Sequence, residues 1–134
     1  MSRHATGTFA VEIKPLAQAD EPGAASLGRM SIDKQFSGDL VAVGKGEMLT
    51  AMTAVKGSAG YVAIERVTGA LHGRSGGFVF QHTGTVDRGA QQLSITVVPD
   101  SGTGQLAGLS GRFMLEIVDG QHFYDFEYSL PEPA

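Results

Sequence analysis

The sequence predicts an all-β protein, a closed eight-stranded antiparallel meander β-barrel. Apolar residues recur with period two in eight successive segments, the pattern of strands with one buried face. The connectors between them carry Gly, Ser, Asp or Pro, as hairpins require. No segment sustains a helical period. Eight two-faced strands in 134 residues can close into a barrel or split into a sandwich. Long strands joined by short hairpins favour closure, which also removes exposed sheet edges.

The elements follow in order. Residues 8–14 set Phe9, Val11 and Ile13 against Thr8, Ala10 and Glu12. Residues 15–28, PLAQADEPGAASLG, offer the best place for a helical turn, but Pro15, Pro22 and Gly23 make a long loop the safer expectation. Residues 29–36 set Met30, Ile32 and Phe36 against Arg29, Ser31 and Asp33. Residues 40–54 form a long segment in which Gly44 and Gly46 suggest a bend or bulge. Strands are expected at 61–71, 78–86, 93–98, 113–118 and 123–130, with Asp119-Gly120 the strongest short hairpin signal. There is no internal repeat, and one domain over residues 1–134 accommodates the whole pattern.

Composition excludes several function classes. A net charge of −4 argues against nucleic acid, because neutralising phosphates needs a basic face. The absence of cysteine excludes disulfides and thiolate zinc sites. The opening MSRHATGTFAVEIKP has no apolar core of a leader, and no stretch approaches the roughly 18 apolar residues of a membrane span. The expectation is a cytoplasmic protein without membrane or nucleic-acid partners. Charged residues make up 18%, below the usual roughly 25%. A lightly charged surface of this kind suits a homo-oligomer, dimer or trimer, or else a weakly charged monomer.

The stretch HGRSGG at residues 72–77 contains Gly73-Arg74-Ser75-Gly76-Gly77, a literal match to the G-x-S-x-G nucleophile elbow. That elbow turns from a strand into a helix, whereas Ser75 is followed by the period-two run FVFQHT. The match therefore reads as a hairpin tip with Ser75 exposed. If the turn is even-numbered, Arg74-Ser75 or Gly73 to Gly76, positions summing to 149 oppose each other: Leu71 with Phe78, Val67 with His82, Glu65 with Gly84. Glu65 and His82 are then diagonal neighbours on one face, alongside Tyr61, Val67, Phe78 and Phe80. An acid and a base facing an apolar lumen shift each other's pKa and can exchange protons with a ligand. A turn of three or five residues would flip the parity and place Glu65 beside Gln81 and Thr83. Glu47, in Gly46-Glu47-Met48-Leu49, is a second candidate lumen carboxylate. The candidate ligand-facing or acid–base residues are thus Glu65, His82, Tyr61 and Glu47.

No metal site or cofactor is expected. His72 at the turn and His82 along the partner strand are separated by roughly 17 Å and point to opposite faces. His4 lies near the chain start and His122 after the last hairpin; no H-x-H or HExxH spacing gathers ligands. SGTGQLAGLSG lacks the Gly-Lys-Ser/Thr ending of a phosphate loop and precedes a strand. The last strand stacks His122, Tyr124, Phe126 and Tyr128 on one face, an aromatic ladder that suits core or subunit interface.

GYVAIERVTGALHGRSGGFVFQHTGT, with GEML before it and SGTGQLAGLSG after it, resembles a bacterial domain family of unknown function whose members have the allene-oxide-cyclase-like barrel. The resemblance runs from about Gly7 to Pro131. The Gly102-Thr103-Gly104-x-Leu106-x-Gly108-x-x-Gly111 pattern is similar to the glycine-rich turn of plant allene oxide cyclases and dirigent proteins. Those proteins are oligomeric and use the barrel cavity for apolar organic substrates. The active-site residues of the plant cyclases do not map onto this chain, so the resemblance implies fold and assembly, not chemistry. Three functional classes follow. One is a module binding a small apolar or amphipathic molecule in the barrel mouth. A second is a cofactor-free isomerase or cyclase-like enzyme. The third is a filled barrel acting as a scaffold or interaction protein.

Overall fold

The computed structural model describes residues 2–16 and 26–131. It is a closed antiparallel barrel in strand order β1 to β8, each strand paired with its sequence neighbour and β8 paired back onto β1. The strands are β1 (Arg3–Pro15), β2 (Ser26–Gly38), β3 (Leu40–Met52), β4 (Ala59–Leu71), β5 (Arg74–Asp87), β6 (Ala90–Val97), β7 (Ser110–Val118) and β8 (Gln121–Ser129). A single 3₁₀ turn, Gly104–Leu106, lies between β6 and β7. All eight expected strands are present. The central part of the expected 15–28 loop, residues 17–25, lies outside the described residues, and both of its flanks are strand.

The period-two alternation resolves into lumen and outer faces. Phe36, Leu40, Val67, Leu71, Phe78, Phe80, Phe113, Tyr124, Phe126 and Tyr128 are buried inside. Each such side chain contributes about 1.5–3 kcal/mol by leaving water. The rings touch edge-on or offset, with Phe80 5.0 Å from Phe113 and 5.3 Å from Phe126 between centroids. Tyr124, Phe126 and Tyr128 of the ladder on β8 are therefore core. On the outside, Asp33, Lys45 and Arg66 lie level on adjacent strands β2, β3 and β4.

Two expectations are corrected. Strand β3 has no bulge: its register runs unbroken against β2 and β4. Gly44 and Gly46 are glycines because neighbours occupy the space a side chain would need. A Cβ at Gly44 would stand 2.1 Å from Glu65 Oε2, and one at Gly46 2.0 Å from the Ile64 carbonyl oxygen. The β4–β5 hairpin turns on His72-Gly73, not on Arg74-Ser75 or Gly73 to Gly76. Leu71 pairs with Arg74, Glu65 with Phe80 and Ala63 with His82. A two-residue turn of this hand needs positive φ at both positions, and His72 (φ 47) and Gly73 (φ 79) supply it. Arg88-Gly89 and Asp119-Gly120 do the same at the β5–β6 and β7–β8 turns.

Ser75 lies within β5 opposite Ala70, exposed, its N–H donating to the Gln105 side chain. Gly76 and Gly77 serve a different purpose from the turn: the segment after β6 docks on them. Thr103 N–H donates to the Gly77 carbonyl, and Gly77 N–H donates back to the Thr103 hydroxyl. A Cβ at Gly76 would lie 2.1 Å from the Thr103 carbonyl oxygen. Docked this way, the segment drives Leu106 and Leu109, each 1% exposed, into the end of the barrel. That end is closed. The other end, carrying the β3–β4, β5–β6 and β7–β8 turns, holds the candidate site.

Candidate functional site

Among the described residues, three polar side chains are buried in the lumen: Lys34 (7% exposed), Glu65 (0%) and His82 (4%). They come from β2, β4 and β5, and they meet. Glu65 Oε1 accepts from Lys34 Nζ at 3.1 Å and is bonded to His82 Nε2 at 2.9 Å. Glu65 and His82 are diagonal neighbours across the β4–β5 ladder. Their shared face survived the error in turn position because the expected and observed turns both contain an even number of residues.

Lys34 is farther away in the sheet. It lies on β2, opposite Gly44 of β3, while Glu65 lies on β4, opposite Gly46 of β3. A whole strand separates them, roughly 10 Å from β2 to β4. They meet because β3 carries no side chain between them. The Glu65 carboxylate lies across Gly44, and Lys34 Nζ meets it from the far side, 5.1 Å from the Phe9 ring centroid and 5.8 Å from that of Phe36. The aromatic faces stabilise the ammonium further.

Burial pushes the Glu65 carboxyl up, but the His82 hydrogen bond and the Lys34 charge outweigh it, and the net direction is down. Glu65 is thus held as a carboxylate. Its other oxygen, Oε2, is buried with no hydrogen-bond partner among the described residues. Burial and the nearby Glu65 charge both push the Tyr61 phenol up, keeping it protonated.

Above this trio the lumen opens into a cavity of about 360 Å³. Lys34, His82 and Tyr61 stand on its wall with Thr50, among apolar side chains that include Ile32, Met48, Leu115 and Ile117. The Tyr61 ring occupies the space over Gly84, where a Cβ would come within 2.3 Å of it. Its centroid is 6.5 Å from that of His82. His122 stands on the opposite wall, 4.9 Å from Phe9 between ring centroids.

Of the four residues the sequence singles out, Glu65, His82 and Tyr61 come together here. Glu47 does not. It points outward and its carboxylate accepts from Arg29 Nε at 2.5 Å, both side chains being about half exposed. The reason is parity: Gly44, Gly46 and Met48 take the lumen positions of β3, so Glu47 must face out. Lys34 is the residue sequence reading missed. The signal was present, since Lys34 shares the face of Ile32 and Phe36, but a lysine between two core positions invites assignment to the solvent side. Among the described residues no three His, Asp or Glu side chains cluster as metal ligands.

Residues 5–128 match the family described as "Protein of unknown function (DUF3224)". The chain belongs to the DUF3224 family. A crystal structure of a DUF3224 protein of unknown function from Shewanella oneidensis MR-1 superposes with a TM-score of 0.93, at 52% identity over 100% of both chains. No curated protein matches the sequence. The DUF3224 barrel described here, a closed eight-stranded antiparallel meander, has the allene-oxide-cyclase-like topology. Among the described residues no helix is long and apolar enough to cross a membrane.

Proposed function

We propose that this protein binds a small apolar or amphipathic molecule in the barrel mouth, with its polar end toward Lys34, Tyr61 and His82. The observation that carries this reading is the cavity itself. It has about 360 Å³ of space, a mainly apolar wall and a few convergent polar groups at its floor, the usual make-up of a small-molecule site. A barrel evolved only as a filled scaffold would place bulky side chains at these lumen positions as it does at the closed end.

A second reading, a cofactor-free isomerase or cyclase-like enzyme, draws on one further feature. His82 stands on the cavity wall backed by the Glu65 carboxylate at 2.9 Å, an arrangement in which the carboxylate orients the imidazole for proton transfer. Turnover that survives both Glu65→Gln and His82→Ala would remove that pair from any mechanism.

The setting we infer is a cytoplasmic homo-oligomer, a dimer or trimer. Leu49 (57% exposed), Val62 (50%) and Ile64 (53%) lie side by side on the outside of β3 and β4, an apolar stripe suited to a second copy. The level row of Asp33, Lys45 and Arg66 on the same wall favours water or protein over lipid around the barrel. Sedimentation of the purified protein measures the assembly.

Native mass spectrometry of gently purified protein tests the main reading. The expected result is a retained small molecule that is lost from Thr50→Trp, which fills the mouth. Protein that carries nothing, and takes up no apolar probe when offered one, would return the barrel to the scaffold class.

A further inference from the structure

We infer that the floor of the mouth receives an anionic, hydrogen-bond-accepting headgroup, a carboxylate or enolate carried on a compact apolar body. This rests on the mouth being a ligand site, as proposed above, and adds the chemistry of the ligand's polar end.

The argument is an inventory of donors and acceptors. An ammonium has three donors and no acceptor. Lys34 Nζ gives one to Glu65 Oε1. Among the described residues it has no other hydrogen-bond partner, and it stands over the rings of Phe9 and Phe36. His82 donates Nε2–H to Glu65, so Nδ1 of the neutral ring is an acceptor, and it bonds to no described residue. The Tyr61 hydroxyl, kept protonated by burial and by the Glu65 charge, is equally uncommitted among those residues. All three line the cavity.

Among the described residues, the one buried carboxylate stands behind this row. Glu65 is fully buried and is absent from the cavity wall. Its Oε1 already has two partners, and its Oε2 lies against the Gly44 backbone. A ligand arriving through the mouth therefore meets the free donors of Lys34 and Tyr61, with the matching carboxylate out of reach. A cationic head would face the Lys34 charge with no accessible carboxylate to offset it. A neutral hydroxyl would satisfy one donor. A carboxylate or enolate satisfies Lys34 together with Tyr61, and its bond to the ammonium is charge-assisted.

Lys34 and Glu65 cancel in charge, and the His82 ring stands beside the pair, bonded through Nε2 to Glu65. Among the described residues, the ionisable side chains facing that ring are Lys34 from β2 and Glu65 and Tyr61 from β4. His122 stands across the mouth on β8.

Three probes with one apolar body and different heads test this: 4-butylbenzoate, 4-butylbenzyl alcohol and 4-butylbenzylammonium. Methyl-labelled methionine gives the readout. Met48 and Met52 line the cavity, while Met114, on the outer wall and 42% exposed, serves as the control. The expected result is that the carboxylate shifts Met48 and Met52 and binds about tenfold or more tightly than the alcohol, the size of one charge-assisted hydrogen bond. The ammonium probe binds more weakly than either. Lys34→Met combined with Glu65→Gln keeps the charge sum unchanged; it should erase the carboxylate preference, bringing the carboxylate and the alcohol to within about twofold of each other. If that variant does not fold, the wild-type series decides the matter alone. Alcohol or ammonium binding as tightly as the carboxylate overturns the headgroup inference and leaves the mouth as a ligand site. If no probe moves Met48 or Met52, both readings fall.

Discussion

The two ends of the barrel are built from the same eight strands by the same alternation, and they reach opposite results. At the closed end the lumen positions carry Phe78, Phe126, Tyr128, Leu40 and Leu71, all at most 2% exposed. The segment between β6 and β7 then folds over them. Leu106 and Leu109 enter from the side, and hydrogen bonds from Thr103 to Gly77 and from Val79 to the Ser101 hydroxyl hold the segment in place. At the open end the lumen positions carry Met48, Thr50, Met52, Gly84 and Ile117. The β5–β6 and β7–β8 turns there have two residues each, too few to reach across the mouth. Ile117 is 58% exposed although it continues the buried row of Phe113 and Leu115. Among the described residues, whether an end is filled or hollow thus follows side-chain volume and whether a segment packs over the lumen. Strand number does not decide it.

The sharpest way to break this comparison is to truncate matching side chains at the two ends. Phe126→Ala should cost about 3–5 kcal/mol in chemical denaturation, because its cavity cannot collapse within the packed rings. Met52→Ala, at a position 57% exposed, should cost under about 0.5 kcal/mol. Equal costs would mean that the mouth is as tightly packed in solution as the plug.

Next in size is the boundary between the halves. Glu65→Gln leaves the buried Lys34 without its counter-charge and should cost about 3 kcal/mol, part of it recovered when Lys34→Met is added. The pH dependence follows from the depressed Glu65 pKa. The unfolded chain binds the proton more readily than the folded one, so the stabilisation is complete above the ordinary carboxylate range. It is lost as pH falls through that range toward the lower folded value. Urea midpoints measured as pH is lowered should drop more steeply for the wild type than for Glu65→Gln. Parallel curves would show that the trio does not act as a charged unit.

Smaller still is Gly44→Ala, expected to cost about 1–3 kcal/mol by overpacking. Its methyl would occupy the place of the Glu65 carboxylate, separating Lys34 from Glu65. The steep acid limb of the wild type should flatten in this variant, and a retained limb would mean that the bridge re-forms around the methyl. Last comes Glu47→Gln. The Arg29 pair it breaks is exposed and screened, so the thermal midpoint should not move measurably. A clear drop would show that this face is covered in solution.

The candidate site was partly legible, and the gaps have distinct causes. Glu65, His82 and Tyr61 were named because parity along neighbouring strands of one hairpin carries across any even turn. The turn itself was misplaced, since the glycines of HGRSGG serve two purposes that look alike in sequence. Gly73 supplies a positive φ at the turn, while Gly76 makes room for the Thr103 carbonyl of a segment 26 residues or more downstream. Glu47 was misplaced for want of one parity count from Gly44. Lys34 was missed because nothing local separates a buried lysine from an exposed one.

By itself, then, the sequence determined the strands, their two faces and, with the resemblance, the closed meander. These depend on a two-residue period and on turn chemistry, both of which act over a few positions. Only the tertiary structure decided that Lys34 reaches Glu65 across the bare backbone of β3, that the segment after β6 plugs one end, and that the described residues leave a cavity at the other. Each of these depends on which side chains share a volume after the sheet has closed on itself, and that sharing leaves no period along the chain.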